Sequence, residues 1–417
     1  MSANFFFWDI PTKILSGSGA VKEIRKPEIK GLFPGNRALM VTSAGNSLKS
    51  SGVIKEVTHI MENAEVEVAI FDGVTPNPDL SVVKEGLEIL RGVSAGSGNT
   101  GSNDTQADEE QETTGPDGVD FIIALGGGSV MDVAEVMAGL ANEEKEDISK
   151  FFFTGDKKPL KRTGPGLPIM KIPTTAGTGA ETANTAYIVN EATGVKGEFK
   201  GDHPFLAVVD PELHVTLPYD ETAFGAFTAL LQGLEGYISK NRTAPAQMMH
   251  IATLGNIAQF VNAAIEDGAD MDAREKIAFA CTMSGMSKQL GSTTGLDAIA
   301  NAVTGTFRNI PHGAVLAICC KEYFNYFLER NCCDAVFTEM AMSIGRAPLE
   351  PSEFLAGLDD LKEAAGLDEL KLGDYGVGED DLADIAAKAY AGRGEFFRND
   401  PIPMSESDII KLLETCL

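Results

Sequence analysis

The chain lacks any apolar run close to the roughly 18 residues that a membrane-spanning helix requires. Its opening stretch, "MSANFFFWDIPTKI", has neither a basic leader nor a small-residue cleavage site. A signal peptide is therefore not expected, and the cytoplasm is the expected compartment. Basic residues are scarce, with 34 Lys and Arg against 61 Asp and Glu, for a formal net charge of −27. Such a surface repels nucleic acid and anionic membrane, so neither is an expected partner. It favours solubility and would suit a salty cytoplasm. The six cysteines, Cys281, Cys319, Cys320, Cys332, Cys333 and Cys416, include two vicinal pairs and no C-x-x-C spacing. That pattern suits neither a disulfide framework nor a zinc cluster. "AVLAICC" reads as an apolar segment ending in two small buried thiols.

What is present is length and pattern. A chain of 417 residues with 43% apolar content can build two domains with real cores. Short apolar runs at 37–43, 65–72, 120–127, 169–175 and 205–211 read as strands, with helical patterns such as "SLKSSGVIKEVTHIME" and "DLSVVKEGLEILR" between the first of them. That alternation predicts a parallel sheet covered by helices. Beyond about residue 212 the strand signal fades, and "ETAFGAFTALLQGLEGYISK" and "QMMHIATLGNIAQFVNAAIED" carry apolar residues at helical spacing. The expected division is an α/β domain over 1–212 and an all-α domain over 213–417. One segment, about 93–118, is rich in Gly, Ser, Thr, Asp and Glu. An acidic surface loop is expected there, dispensable to the core.

"ALGGGSVMDVAEVMAGLA", 124–141, places glycines and a serine between an expected strand and an expected helix. A helix N-terminus offers unpaired N–H groups and the positive end of a dipole, which suits a phosphate. The alternative is a turn chosen for its conformation alone. Other motifs accompany it in one order: "GVTPNPDLSVVKEGL", "IPTTAGTGAET", "TGVK", "VVDPEL", "IPHG" and "NDPIPMSESDI". Together they resemble the iron-containing (group III) alcohol dehydrogenase family nearly end to end.

The resemblance implies a Rossmann-like α/β domain, a helical domain, and an active site in the cleft between them, the dehydroquinate synthase-like architecture. It implies homodimers or higher homo-oligomers and small alcohol or aldehyde substrates. Gly127, Gly128, Ser129 and Asp132 match the family's pyrophosphate loop, and Asn77, Thr174, Thr175 and Lys196 match positions lining the nicotinamide cofactor. Glu135 departs from the motif, standing where the family usually carries lysine. After the first sheet strand, the family's NAD-preferring branch carries a carboxylate that binds the adenosine ribose; here the chain has Ser43-Ala44-Gly45. A carboxylate would repel a 2′-phosphate and a serine admits it, so NADP(H) is expected over NAD(H).

The resemblance also implies a divalent metal held by an aspartate and three histidines. Against Glu235-Gly236-Tyr237, the first two ligand positions hold Thr228 and Gln232. Counting back from His312 places Ala298 at the third, and Ala302 at the position of a supporting histidine. Asp297 is expected to turn about 100° away from the face of Ala298. His59, His203, His214 and His250 fall outside the motifs and are expected to be structural. No tightly bound iron or zinc is therefore expected. Two readings remain open. In one, a metal-free oxidoreductase uses His312, with Thr228 or Gln232, to donate hydrogen bonds to a carbonyl oxygen. In the other, a non-catalytic relative keeps the fold and the cofactor and acts as a binding or assembly subunit. Arg308, four residues before His312, would hold an anionic substrate group if it points into the cleft, or else is a surface arginine or one paired with an acidic neighbour.

Overall fold

The computed structural model describes residues 9–92, 118–155, 158–291, 293–347 and 349–417. The acidic segment expected at 93–118 lies outside these, apart from Gly118. The described residues form eight strands: β1 Lys13–Ser16, β2 Arg37–Ser43, β3 Glu67–Val74, β4 Phe121–Gly126, β5 Ile169–Pro173, β6 Thr185–Asn190, β7 Val195–Lys200 and β8 Leu206–Val209. Six of them make one sheet in the order β1-β8-β5-β4-β2-β3, and every pairing in it is parallel. The centre of that sheet explains the continuous apolar run at β4. Phe121, Ile123 and Leu125 pack on one face with Val57 and Met61, while Ile122 and Ala124 pack on the other with Val133 and Met137. A parallel strand buried on both faces has no polar side to alternate with.

The longer helices of the α/β half are α1 Val53–Asn63, α2 Leu80–Leu90 and α3 Gly128–Leu140. The helical half is built largely from α4 Tyr219–Ile238, α5 Ala244–Glu266, α6 Met271–Leu290, α7 Gly295–Thr306, α8 His312–Leu328 and α9 Leu382–Arg393. Among the described residues no helix is long and apolar enough to cross a membrane. The β1 edge strand and the antiparallel β6–β7 hairpin were not expected from the sequence. β1 is short and mostly exposed, and so carries little hydrophobic pattern.

Glu135, the departure inside the glycine motif, has a structural explanation. Its carboxylate in α3 meets the Lys171 ammonium of β5 at 2.9 Å, with both side chains 1% exposed. Lys171 Nζ also donates to the carbonyls of Ala180 and Ala183 at 3.0 and 2.9 Å. Gly201 makes room, since a Cβ there would lie 1.8 Å from Glu135 Oε1. Burial pushes the Glu135 carboxyl up, and Lys171 opposes that shift. Lys171→Met would strand the carboxylate without a cation, at a cost of about 3–5 kcal/mol. Urea denaturation checks this, and a loss below about 1 kcal/mol, the range of exposed pairs, would contradict it.

Candidate functional site

β4 ends at Gly126, and Gly127 caps α3 with extended backbone and no side-chain cap. Gly126 is demanded by packing, because a Cβ there would sit 2.5 Å from Val130 Cγ2. Gly127 and Gly128 are different. Neither has a positive φ. Added Cβ atoms would approach only the side chains of Thr175 and Thr178, at 3.0 and 3.3 Å. Neither backbone conformation nor backbone packing demands glycine at these positions. Open space above a helix N-terminus does, if an anion is to come close to its N–H groups.

That turn opens onto a cavity of ≈ 1100 Å³ between the C-terminal ends of the strands and the helical half. In open parallel sheets this crevice is where ligands bind. From the sheet side it is lined by Ser43 at the end of β2, by Asn77 after β3, and by Gly127, Gly128, Ser129 and Asp132. Thr174 and Thr175 after β5 and Lys196 of β7 complete that side. From the helical side come Thr228 and Gln232 of α4 and His312, the first residue of α8. All the candidate site residues thus meet in one cavity.

The two halves are tied together at its edge. Asn77 adopts a positive φ of 46°, a conformation asparagine tolerates. Its Nδ2 donates to the carbonyls of Arg308 and Ile310 at 2.9 and 3.1 Å. Its Oδ1 accepts from Lys196 Nζ at 2.7 Å, and Lys196 also donates to Thr304 Oγ1 at 2.8 Å. Burial pushes the Lys196 ammonium down to about 8, against the carboxylates of Asp132 and Asp297. Burial likewise pushes the Asp132 carboxyl up to about 7. Arg308 lines the cavity, but Nη1 pairs with Asp79 Oδ2 at 2.5 Å and Nε donates to the Asn77 carbonyl at 3.1 Å. It acts as a cross-link between the halves, which resolves the two roles open to it in favour of the acidic neighbour.

The helical side corrects the sequence expectation for Asp297. At the start of α7, Glu235 Oε1 accepts from the Thr294 and Asp297 amides, each at 3.0 Å, and from the Thr294 hydroxyl at 2.9 Å. Asp400 Oδ1 accepts from the Gly295 amide at 2.9 Å. These bonds hold α7 with Asp297 and Asn301 lining the cavity. Ala298 and Ala302 sit instead with Lys388, Ala389 and Gly392 of α9. The face expected to look into the cleft is therefore rotated out of it.

His312 Nε2 lies 3.2 Å from Asp297 Oδ1. Burial would raise the Asp297 carboxyl, but Lys288 and His312 outweigh it and hold the group below the usual carboxylate range. An ionised carboxylate only accepts hydrogen bonds, so His312 carries its proton on Nε2 and keeps Nδ1 for exchange. Gly313 is required by close approach, since a Cβ there would lie 2.2 Å from the Phe224 carbonyl oxygen. Thr228 Oγ1 donates its one proton to that same carbonyl at 2.8 Å. Gln232 Oε1 accepts from Ser284 at 3.0 Å, which leaves its amide NH₂ for other partners.

This donor set does not fit a divalent ion. Asp297 supplies one carboxylate and His312 one imidazole, but with a committed hydroxyl and an amide beside them the set lacks the further histidines such an ion needs. Among the described residues no group of three or more His, Cys, Asp and Glu side chains is placed to hold one. Instead a protein cation is present. Lys288, in the last turn of α6, lines the cavity with Nζ 3.8 Å from Asp297 Oδ2 and 5.1 Å from the Tyr187 ring centre. Burial would lower it, but the Asp297 carboxylate holds it above the usual lysine range. Sequence reasoning missed Lys288, although it is the one charged residue between Lys276 and Asp297.

Comparison with known proteins agrees with this architecture. The family model for iron-containing alcohol dehydrogenase matches residues 11–96 and 101–211, and the C-terminal model of the same family matches 222–417. The 1,3-propanediol dehydrogenase of Klebsiella pneumoniae is 27% identical over 98% of both chains. The NAD-dependent methanol dehydrogenase of Bacillus methanolicus is 30% identical over 78% of this chain and 79% of its own. Among solved structures, an archaeal halo-thermophilic alcohol dehydrogenase from a Red Sea brine pool superimposes with a TM-score of 0.86, at 27% identity and 99% coverage of each chain.

Proposed function

The chain belongs to the iron-containing alcohol dehydrogenase family, and on that footing we propose that it moves hydride between NADP(H) and a small alcohol or aldehyde without a bound metal. The observation that carries this reading is the single cavity in which the glycine turn faces His312, Asp297 and Gln232. Gly127, Gly128 and Ser129 would hold the pyrophosphate, and Asn77, Thr174, Thr175 and Lys196 the nicotinamide end. When bound, the cofactor supplies or accepts the hydride.

The chain's own residues do the rest. His312 exchanges a proton with the substrate oxygen through Nδ1, while Asp297 fixes its tautomer and orientation. Gln232 presents amide donors, and Thr228 braces the crossing of α4 and α8. Small alcohols are also the substrates named for the relatives, 1,3-propanediol and methanol. Cofactor titration followed by turnover assays with short-chain aldehydes tests the reading. Protein that binds neither cofactor at about millimolar concentration would overturn it, since nicotinamide enzymes work near such levels.

Cofactor choice rests on Ser43, which lines the same cavity where β2 ends. Ser43→Asp would place a carboxylate beside the 2′-phosphate. At an effective dielectric near 20, two charges about 5 Å apart interact by roughly 3 kcal/mol before screening. If screening leaves about a third of that, preference shifts roughly fivefold from NADP(H) towards NAD(H). An unchanged ratio of dissociation constants would show that position 43 does not face the ribose.

A further inference from the structure

We propose that Lys288 is the electrophile of this cleft: its ammonium donates a hydrogen bond to the substrate carbonyl oxygen and carries the negative charge that develops there. The proposal rests on the metal-free reading above. A carbonyl that accepts hydride needs positive charge at its oxygen, and without a metal that charge must come from the protein.

Three other cations on the cavity wall are already committed, and a fourth, Lys200, is exposed at the last residue of β7. Lys196 is bonded to Asn77 and Thr304. Arg308 is paired with Asp79. Arg393 is paired with Glu198 and Glu395. Lys288 has no hydrogen bond among the described residues, its ion partner Asp297 Oδ2 standing at 3.8 Å. Its side chain is 20% exposed, and the cavity is the space it faces. Its three N–H donors are therefore available to a ligand.

Position favours the role as well. Asp297 holds Lys288 through one carboxylate oxygen and His312 through the other, which sets the cation and the proton carrier side by side. The Tyr187 ring backs the ammonium at 5.1 Å, within cation–π range. Asp132, at the start of the cofactor-binding helix, feels the charge of Lys288 as well as that of Lys196. In the reducing direction the carbonyl carbon accepts hydride with its electron pair from the reduced nicotinamide. The C–O π pair moves onto oxygen, and that oxygen takes a proton delivered through His312 from solvent. Lys288 remains an ammonium throughout.

A lysine that merely balanced Asp297 would look similar at rest, and substitution separates the two roles. The full-length protein with Lys288→Met should lose about 10²–10³-fold in kcat, the loss seen when an oxyanion donor is removed. Its dissociation constant for the cofactor should stay unchanged. Acetate, used as an oxyanion probe in titration calorimetry, should bind about tenfold more weakly, as for the loss of a charge-assisted hydrogen bond. Lys288→Gln should repeat the loss, and Lys288→Arg should restore about a tenth or more of wild-type kcat because it keeps the charge. Unchanged kcat in Lys288→Met, or arginine no better than methionine, would overturn the proposal. So would a loss confined to melting temperature and cofactor affinity. Wild-type protein with no turnover, or with turnover that depends on a bound metal, would overturn the reading beneath it.

Discussion

Valine in place of Gly128 is expected to abolish binding of NADP(H) and NAD(H) while leaving the fold intact. A branched side chain there enters the space above the α3 N-terminus, where a pyrophosphate must lie within hydrogen-bonding distance of the backbone. Each charge-assisted hydrogen bond lost is worth about 1.5–3 kcal/mol, so affinity should fall by about 100-fold or more. The fold should tolerate the change, because the atoms nearest a Cβ at 128 belong to the Thr178 side chain at 3.3 Å and not to backbone. Fluorescence titration with each cofactor, alongside circular dichroism, reads both halves of the prediction. Wild-type affinity in the folded variant would show that this turn does not hold the cofactor.

His312→Ala carries the other large effect. Alanine removes the only imidazole among the residues of α4, α7 and α8 that line the cavity. Positioned general acid–base catalysis typically contributes about 10²–10⁴-fold, and kcat should fall by that factor with cofactor affinity unchanged. Steady-state kinetics in both directions gives the answer. A kcat within about tenfold of wild type, less than general acid–base catalysis contributes, would show that solvent or another group handles the proton. Loss of cofactor affinity would mean that His312 positions the nicotinamide instead.

Much of the α/β half is legible in the sequence because the relevant physics is local. An apolar run such as "FIIALG" followed by glycines and a helical pattern reports a buried parallel strand and the turn after it. The glycine turn at the end of β4 and His312 at the start of α8 are placed by strand-end and helix-start signals, whereas Thr228 and Gln232 lie within α4 and are placed by the family resemblance. The chemistry of the helical side is less legible. Whether Asp297 or Ala298 looks into the cleft depends on how α7 rotates, and that is set by Glu235 and Asp400, 62 and 105 residues away from the amides they cap. No periodicity within α7 carries that information.

Buried charges behave in the same way. Glu135 in a helix core and Lys171 in a strand core each look misplaced alone. Only the packing of α3 against β5 brings them together. Arg308 and Asp79, 229 residues apart, present the same difficulty. Lys288 was visible as an isolated charge, but its meaning depends on the carboxylate that faces it.

On the reading proposed above, the cleft works through protein groups and not through a bound metal. Elemental analysis of the purified protein, followed by NADPH-dependent aldehyde reduction before and after exhaustive chelation, tests it most directly. Iron and zinc should be well below one ion per chain, since one imidazole and one carboxylate already paired with it and with Lys288 are too few ligands to retain either against dilution, and chelation should leave the rate unchanged. One tightly bound ion per chain, removed by chelator together with activity, would contradict the account.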